Sequence, residues 1–190
     1  MRLVYFGDSF TFGQGYPDCQ HTCWEDIGDH SHENWAAQTA ELLNVTYVNK
    51  AYPGLSNQEM FYMMRAFDFE PDDFIVVQWS YDDRDMLLNR TGIERVSPWM
   101  GNKISERYLK VHSDVDMAYR SDLVIEHCGL WLKQPYLMLS NNKFNRAIDG
   151  LIRDHMMRHC IDRWADNHPG PETNKAWAAL VAEWIKERGP

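Results

Sequence analysis

The sequence lacks any hydrophobic run of the ~18 residues needed to cross a bilayer. Among its 190 residues are only four cysteines, and their wide scatter is not that of a disulfide-stabilised scaffold. Basic residues are also few: 19 Lys and Arg stand against 28 Asp and Glu, a net charge of −9. This acidic balance argues against a nucleic acid or an anionic membrane as the main partner.

The first residues contain no long apolar segment followed by small residues, so a signal peptide is not predicted. We therefore expect reduced thiols and a cytoplasmic location, with association with a phage or another particle as an alternative. No internal repeat or low-complexity segment interrupts the chain. Because 44% of the residues are hydrophobic, a single domain over residues 1–190 can bury a substantial core.

Short apolar runs alternate with amphipathic segments along the chain. Strands are predicted at residues 3–6, 45–49, 74–79 and 136–139. Helices are predicted at residues 34–43, 57–67, about 113–133, 148–164 and 172–188. Such alternation is typical of a parallel sheet with helices on both faces. We predict an α/β fold, a three-layer α/β/α sandwich with about five parallel strands, flavodoxin-like in outline. Residues 82–112 fit neither pattern and are interpreted as an insertion that shapes the cleft.

Ligands of parallel α/β sheets bind beyond the carboxyl ends of the strands. After the first strand, a tight turn would expose the hydroxyl of Ser9, as a nucleophile requires. After the second, Gly54 allows a backbone N–H to approach a ligand closely. Near the C-terminus, Asp166 and His168 stand two residues apart, so in an extended stretch both project to the same side. Each feature alone is also consistent with an ordinary turn or capping loop. Together they form a nucleophile, an oxyanion donor and a base.

These blocks, in this order, resemble those of the SGNH (GDSL-type) hydrolases over the whole chain. Gly7-Asp8-Ser9-Phe10 matches the block that carries the family's nucleophilic serine. The stretch AYPGLSN at residues 51–57 matches the block whose glycine, here Gly54, supplies an oxyanion N–H. His168-Pro169 matches the last block, whose histidine is the base. The resemblance implies a serine esterase without cofactor or metal, in which Asp8 braces the turn.

The last block departs from the family's usual Asp-x-x-His. Ala165 stands three residues before His168, so the predicted acid is Asp166, with Asp162 as a weaker alternative. Some members of the family work with a Ser–His pair alone.

The third block departs from the usual Gly-x-Asn-Asp, whose asparagine donates to the oxyanion. Asp82 stands in its place, and an ionised carboxylate only accepts hydrogen bonds. We predict that the oxyanion hole consists of Ser9 and Gly54, with the Asp82 position or Arg84 as a third element. Alternatively, Arg84 only pairs with a neighbouring aspartate.

Eight tryptophans are present, and most fall on apolar helix faces where core packing explains them. Trp79, at the end of the third strand, and Trp99, in the insertion, are the exceptions predicted to line the cleft. Trp79 and Asn57 are the predicted substrate-binding residues. Cys19, His21 and Cys23 lack zinc-finger spacing, and no metal is expected.

The sequence therefore predicts a serine-dependent hydrolase of a small-acyl or carbohydrate ester. An acyltransferase with the same residues is one alternative, and a non-catalytic binding or structural protein with a degraded site is another. A phosphate or nucleotide binder is disfavoured, because the loop after the first strand is not a Gly-rich cradle and Asp8 would repel phosphate. The expected partner is a small-molecule ester, and the oligomeric state is left open.

Overall fold

The computed structural model describes residues 1–19, 29–90, 92–140 and 151–189. Its strands are β1 (Arg2–Phe6), β2 (Thr46–Asn49), β3 (Asp73–Trp79), β4 (Asp85–Asn89), β5 (Gly92–Val96), β6 (Tyr136–Ser140) and β7 (Leu151–Ile152). Its α-helices are α1 (Ser9–Phe12), α2 (Trp35–Leu43), α3 (Asn57–Arg65), α4 (Lys103–Val111), α5 (Asp114–Trp131) and α6 (Pro171–Arg188). A 3₁₀ helix spans Met156–His159. Of the residues weighed as a metal cluster, His21 and Cys23 lie outside the described residues.

Five of the described strands form a parallel sheet in the order β2-β1-β3-β6-β7. Alternate residues of β1 enter different layers, since Leu3 and Tyr5 pack with α2 and α6, whereas Val4 and Phe6 pack with α3 and α5. Both faces of the sheet are therefore covered, as parallel sheets require. The predicted three-layer α/β/α sandwich is confirmed.

The predicted insertion contains an antiparallel hairpin of its own. Strands β4 and β5 pair only with each other among the described residues and lie outside the main sheet. The helix α4 follows, and Asn102 caps its start by accepting a hydrogen bond from the backbone N–H of Ser105. Residues 85–111 thus place regular structure beside the carboxyl end of β3.

The helix predicted at residues 148–164 is wrong for the described part of that range. Leu151 and Ile152 instead pair in parallel with Met138 and Leu139 and form the fifth strand. The extended backbone of His155 then separates this strand from the 3₁₀ helix. Leu151 and Ile152, whose apolar spacing also fits an amphipathic helix, thus form a short strand that is half-buried beside β6.

Among the helices that the structure describes, none is both long and apolar enough to span a membrane.

Candidate active site

The turn after β1 holds Ser9 at the carboxyl edge of the sheet. Asp8 caps α1 by accepting a hydrogen bond from the N–H of Phe10 at 3.1 Å, and Ser9 is the first helical residue. A Cβ at Gly7 would lie 2.2 Å from the Thr11 hydroxyl oxygen, so only glycine fits where the strand bends into the helix. The sequence of this turn therefore fixes the position of the Ser9 side chain.

Three segments that are distant in sequence meet in one cavity of about 270 Å³. Ser9 comes from the turn after β1, Gly54 from the loop after β2, and His168 from the loop before α6. Arg84 and Trp99 of the insertion complete the wall. The structure thus brings together the predicted nucleophile, the predicted oxyanion glycine and the predicted base.

The loop after β2 is fastened to the Ser9 turn. The N–H of Tyr52 donates to the carbonyl of Gly7 at 3.0 Å, and the Asn49 amide donates to the carbonyl of Thr11 at 2.8 Å. Gly54 has φ +74°, in the left-handed region where a Cβ is strained. A glycine at this position lets the loop turn back along the cavity beside Ser9.

Asp166 lies beside the imidazole of His168. Its Oδ2 is 3.0 Å from Nδ1, and its Oδ1 accepts a hydrogen bond from the backbone N–H of His168 at 3.1 Å. Within the described residues, Nδ1 has no aligned hydrogen-bond acceptor, so the carboxylate meets the ring at ion-pair distance only. The Asp166 side chain is also 44% exposed, so it is more accessible to solvent than the buried acid of a catalytic triad.

The carboxylate of Asp162 binds the start of α6. Its two carboxylate oxygens accept hydrogen bonds from the backbone N–H groups of Thr173 at 2.8 Å and Glu172 at 3.2 Å. Burial alone would raise the pKa of this carboxyl, but the hydrogen bonds from Thr173 and Glu172 outweigh it and lower the pKa. Asp162 therefore caps the first turn of α6, and its alternative role as the acid is not supported.

The ring of Phe10 packs edge-on against His168, with centroids 5.6 Å apart, and against His155 at 5.4 Å. His155 is buried, and burial lowers its pKa to about 4. Its Nδ1 accepts from the N–H of Met157, so the neutral ring carries its proton on Nε2. Sequence analysis places His155 on a predicted helix, one turn from His159 and without a third metal ligand, and this spacing does not reveal that its ring is buried.

Arg84 pairs with Asp8, which precedes it by 76 positions in the sequence. Its Nη1 donates to Oδ2 of Asp8 at 2.9 Å, and both side chains are buried. The guanidinium carbon lies 4.6 Å from the ring centre of Trp99 and 5.4 Å from that of Tyr81. Its Nε has no hydrogen-bond partner within the described residues. Asp82 is not among the residues that line the cavity, whereas Arg84 is.

The two predicted substrate-binding residues are not at the cavity. Trp79 is completely buried in the core with α3 and α5, so its ring has no face to offer a ligand. Asn57 is buried as well: its Oδ1 accepts from the N–H of Ser80 at 2.7 Å, and its Nδ2 donates to Ser121. Neither residue is therefore placed to bind a substrate in this cavity: Trp79 packs in the core, and Asn57 holds the end of β3 in place.

Within the described residues, one cluster has the spacing of metal ligands: Glu70, Asp72 and Asp73. Arg2 pairs with Asp73 at 2.7 Å and with Glu70 at 2.8 Å, and the amino group of Met1 lies 3.1 Å from Asp72. The cluster lies at the amino end of β3, opposite the cavity, and each of its three carboxylates already pairs with Arg2 or with the amino group of Met1.

The five-stranded parallel sheet between two layers of helices matches an SGNH/GDSL hydrolase fold. No protein-family model matches the sequence, and no curated protein matches it. Solved structures do match. TesA aligns with TM-score 0.61 and 14% identity over 98% of this chain and 99% of its own.

Two further structures carry the same fold. Est2A, an acetyl xylan esterase from the rumen bacterium Butyrivibrio proteoclasticus, aligns with TM-score 0.57 and 13% identity over 98% of this chain and 63% of its own. A "GDSL-like lipase" from Bacteroides uniformis aligns with TM-score 0.55 and 13% identity over 98% and 95%. The chain spans 63–66% of the length of three carbohydrate-esterase structures. At these identities the similarity establishes the fold.

Proposed function

We propose that the protein is a serine hydrolase that cleaves a carboxylic ester, with Ser9 as nucleophile and His168 as base. The observation that carries the proposal is the shared cavity: Ser9, Gly54 and His168 come from three distant segments and line one space. The carbohydrate esterases among the structures of the same fold support a hydrolase.

In the proposed reaction, Nε2 of His168 takes the proton of the Ser9 hydroxyl while Oγ attacks the ester carbonyl carbon. The N–H groups of Ser9 and Gly54 hold the resulting oxyanion. His168 then gives its proton to the leaving alcohol. Water, deprotonated by the same imidazole, hydrolyses the acyl-enzyme and restores Ser9. Asp166, at ion-pair distance from Nδ1, orients the ring and stabilises its charged form.

Arg84 is our candidate for the third oxyanion element, in place of the Asp82 position. Its Nε has no partner in the described part of the chain and its side chain lines the cavity. The carboxylate of Asp8 balances the charge of Arg84. The remaining N–H groups of the guanidinium can still donate hydrogen bonds. A side-chain donor in such a position stabilises a transition state by about 3 kcal/mol.

The acyl group that we propose is small. A cavity of about 270 Å³, with Trp99 in its wall, lies below the ~300–1,000 Å³ range of drug-sized ligand sites. Est2A is an acetyl xylan esterase, which supports an acetyl or similar group. The substrate class that fits is therefore a small-acyl ester, with a carbohydrate as one candidate alcohol.

The test uses p-nitrophenyl acetate and a fluorophosphonate probe on the wild-type chain, on Ser9→Ala and on Ser97→Ala. Ser97 is a matched control, because it is buried and its hydroxyl has no partner within the described residues. We expect the probe to label the wild type and Ser97→Ala but not Ser9→Ala, whose hydrolysis rate falls ~10³-fold or more. Equal rates in all three proteins, with no label on Ser9, would reject the proposal.

A further inference from the structure

Arg84 and Trp99 stand at the two ends of the β4–β5 hairpin. Asp85 lies opposite Val96 in the pair at the open end of this hairpin. Arg84 directly precedes the first strand, and Trp99 follows the second strand after two intervening residues. Pairing of the two strands therefore brings Arg84 and Trp99 together, and both line the cavity at Ser9.

A tight turn sets the position of Trp99. The carbonyl of Ser97 accepts a hydrogen bond from the N–H of Met100 at 3.3 Å. Pro98 occupies the second position of this turn, where its fixed φ favours the turn conformation. Trp99 follows at the third position with a side chain that is 50% exposed. The two core clusters of the described residues do not include Trp99, so core packing does not account for this ring.

The helix α4 fastens both ends of the hairpin. The hydroxyl of Tyr108 donates a hydrogen bond to the carboxylate of Asp85. The hydroxyl oxygen of Ser105 accepts a hydrogen bond from the backbone N–H of Ser97 at 3.4 Å. Because both ends are bound to the same helix, the distance between them is fixed by the fold of the insertion.

The guanidinium of Arg84 is held by contacts of two kinds. Its Nη1 donates to Asp8 at 2.9 Å, but a single hydrogen bond leaves a planar group free to rotate about the line from donor to acceptor. The ring centre of Trp99 lies 4.6 Å from the guanidinium carbon, within the ~6 Å range of a cation–π contact, and that of Tyr81 lies at 5.4 Å. These ring contacts restrict the rotation.

The restricted rotation gives the Nε–H of Arg84 a fixed direction. The side chain is only 9% exposed, and among the residues that the structure describes, Nε has no hydrogen-bond partner. A donor that already has its direction stabilises developing charge more than one that must first reorient. The ring that fixes this direction therefore contributes to the proposed reaction.

We propose that Trp99 is a positioning residue, whose indole keeps the guanidinium of Arg84 oriented so that its Nε–H donates to the oxyanion formed at Ser9. The catalytic part of this proposal rests on the proposed ester hydrolysis. Trp99 acts through Arg84 and touches no reacting atom in this role. The task of the hairpin is then to return an aromatic ring to Arg84, and any other hairpin in this place has to do the same.

Kinetics of p-nitrophenyl acetate hydrolysis test the role of the ring. Trp99→Leu removes the aromatic face, Trp99→Phe keeps one, and Met100→Leu is the control, since Met100 is exposed and is not among the residues that line the cavity at Ser9. We expect kcat to fall about tenfold in Trp99→Leu and about threefold or less in Trp99→Phe, with KM within about twofold of wild type. The control should match the wild type. A higher KM with unchanged kcat in Trp99→Leu would overturn the proposal, because the ring would then contact the substrate instead.

A double-mutant cycle tests whether Trp99 acts through Arg84. Arg84→Lys keeps a cation for Asp8 but lacks the planar guanidinium and its Nε–H. When Trp99→Leu is added to Arg84→Lys, we expect kcat to fall by less than about twofold, because the group that the ring orients is already absent. A further loss as large as that in the wild-type background would refute the proposal.

Nuclear magnetic resonance separates this proposal from the proposed function. The Nε–Hε resonance of Arg84 is recorded in Ser9→Ala protein and assigned by its disappearance in Arg84→Lys. We expect the ring currents to shift this resonance away from those of exposed arginines, and the shift to decrease in Trp99→Leu but not in Met100→Leu. A decrease supports the contact even where the wild type hydrolyses no ester and Ser9 is not labelled. An unchanged resonance in Trp99→Leu overturns the positioning role even where Ser9 is labelled.

Discussion

At the scale of single residues, two aspartates of one loop have different tasks. Asp166 lies at ion-pair distance from His168, whereas Asp162 accepts hydrogen bonds from the first turn of α6. The two side chains are chemically identical, so only their partners distinguish them. Substitution of Asp166 is expected to lower the reaction rate, and substitution of Asp162 is expected to lower the stability of the fold.

Asp166→Asn is expected to lower kcat for p-nitrophenyl acetate at least tenfold, because the carboxylate that orients and balances the imidazole is removed. The loss should stay below the ~10⁴-fold seen for a fully buried triad acid, since Asp166 is half in solvent. Its melting temperature should be close to that of the wild type.

Asp162→Ala is the matched variant. Loss of a helix cap costs about 1–2 kcal/mol, so thermal unfolding should shift downward while kcat stays within a few-fold of wild type. The assignment fails if Asp162→Ala abolishes turnover and Asp166→Asn does not.

At the scale of secondary-structure elements, the strands were the most predictable part. The runs at 3–6, 74–79 and 136–139 correspond to β1, β3 and β6, because a strand covered on both faces is almost continuously apolar. The run at 45–49 corresponds to β2, which is exposed or half-buried along its length. Strand β7 has only two residues, too few to show a period. Its pairing with β6 is a long-range contact that no local pattern encodes.

The site residues that stand in turns and loops could be predicted from the sequence. Ser9 and Gly54 stand in short motifs after strands, His168 stands in one before a helix, and all three line the cavity. Trp79 was misplaced, although its position carried a signal: Ile75, Val77 and Trp79 alternate along β3 and enter the same core layer. Arg84's pair with Asp8 joins positions 76 residues apart, and no spacing rule reveals it.

Gly54→Ala tests the loop after β2. Its φ of +74° costs a non-glycine residue about 1–2 kcal/mol, so the loop is expected to relax and to move its N–H away from the oxyanion. We expect kcat to fall tenfold or more with little change in KM for p-nitrophenyl acetate. Gly101→Ala, also at positive φ (+60°) with open space around it, is the control. A Gly54→Ala rate equal to that of Gly101→Ala would exclude this role.

At the scale of the whole molecule, a buried histidine makes the fold sensitive to acid. Burial lowers the pKa of His155 from 6.5 to about 4, with Asp8 and Asp154 opposing and Arg158 and Arg84 adding to the shift. Between these two values the unfolded chain binds the proton and the folded chain does not, so stability falls as pH falls. Below pH 4 the full loss is on the order of 3 kcal/mol.

His155→Gln should remove this part of the pH dependence, since glutamine can still accept the N–H of Met157 but does not titrate. Urea unfolding from pH 7 to pH 4 is the measurement, and the slope of stability against pH is the readout. His127→Gln, at an exposed position on α5, should keep the wild-type slope. Parallel slopes for His155→Gln and wild type would contradict the prediction.

The pair between Asp8 and Arg84 also sets a rule for redesigning the molecule. It joins the turn that carries Ser9 to the first residues of the insertion, and removal of one partner of a buried ion pair costs about 3–5 kcal/mol. A hairpin exchanged at Asp82 would discard Arg84 and leave Asp8 uncompensated beneath Ser9. An exchange that begins after Arg84 keeps the pair intact. The part of the insertion that can be exchanged therefore starts at Asp85. A hairpin that brings a different substrate specificity should be joined to the chain at that residue.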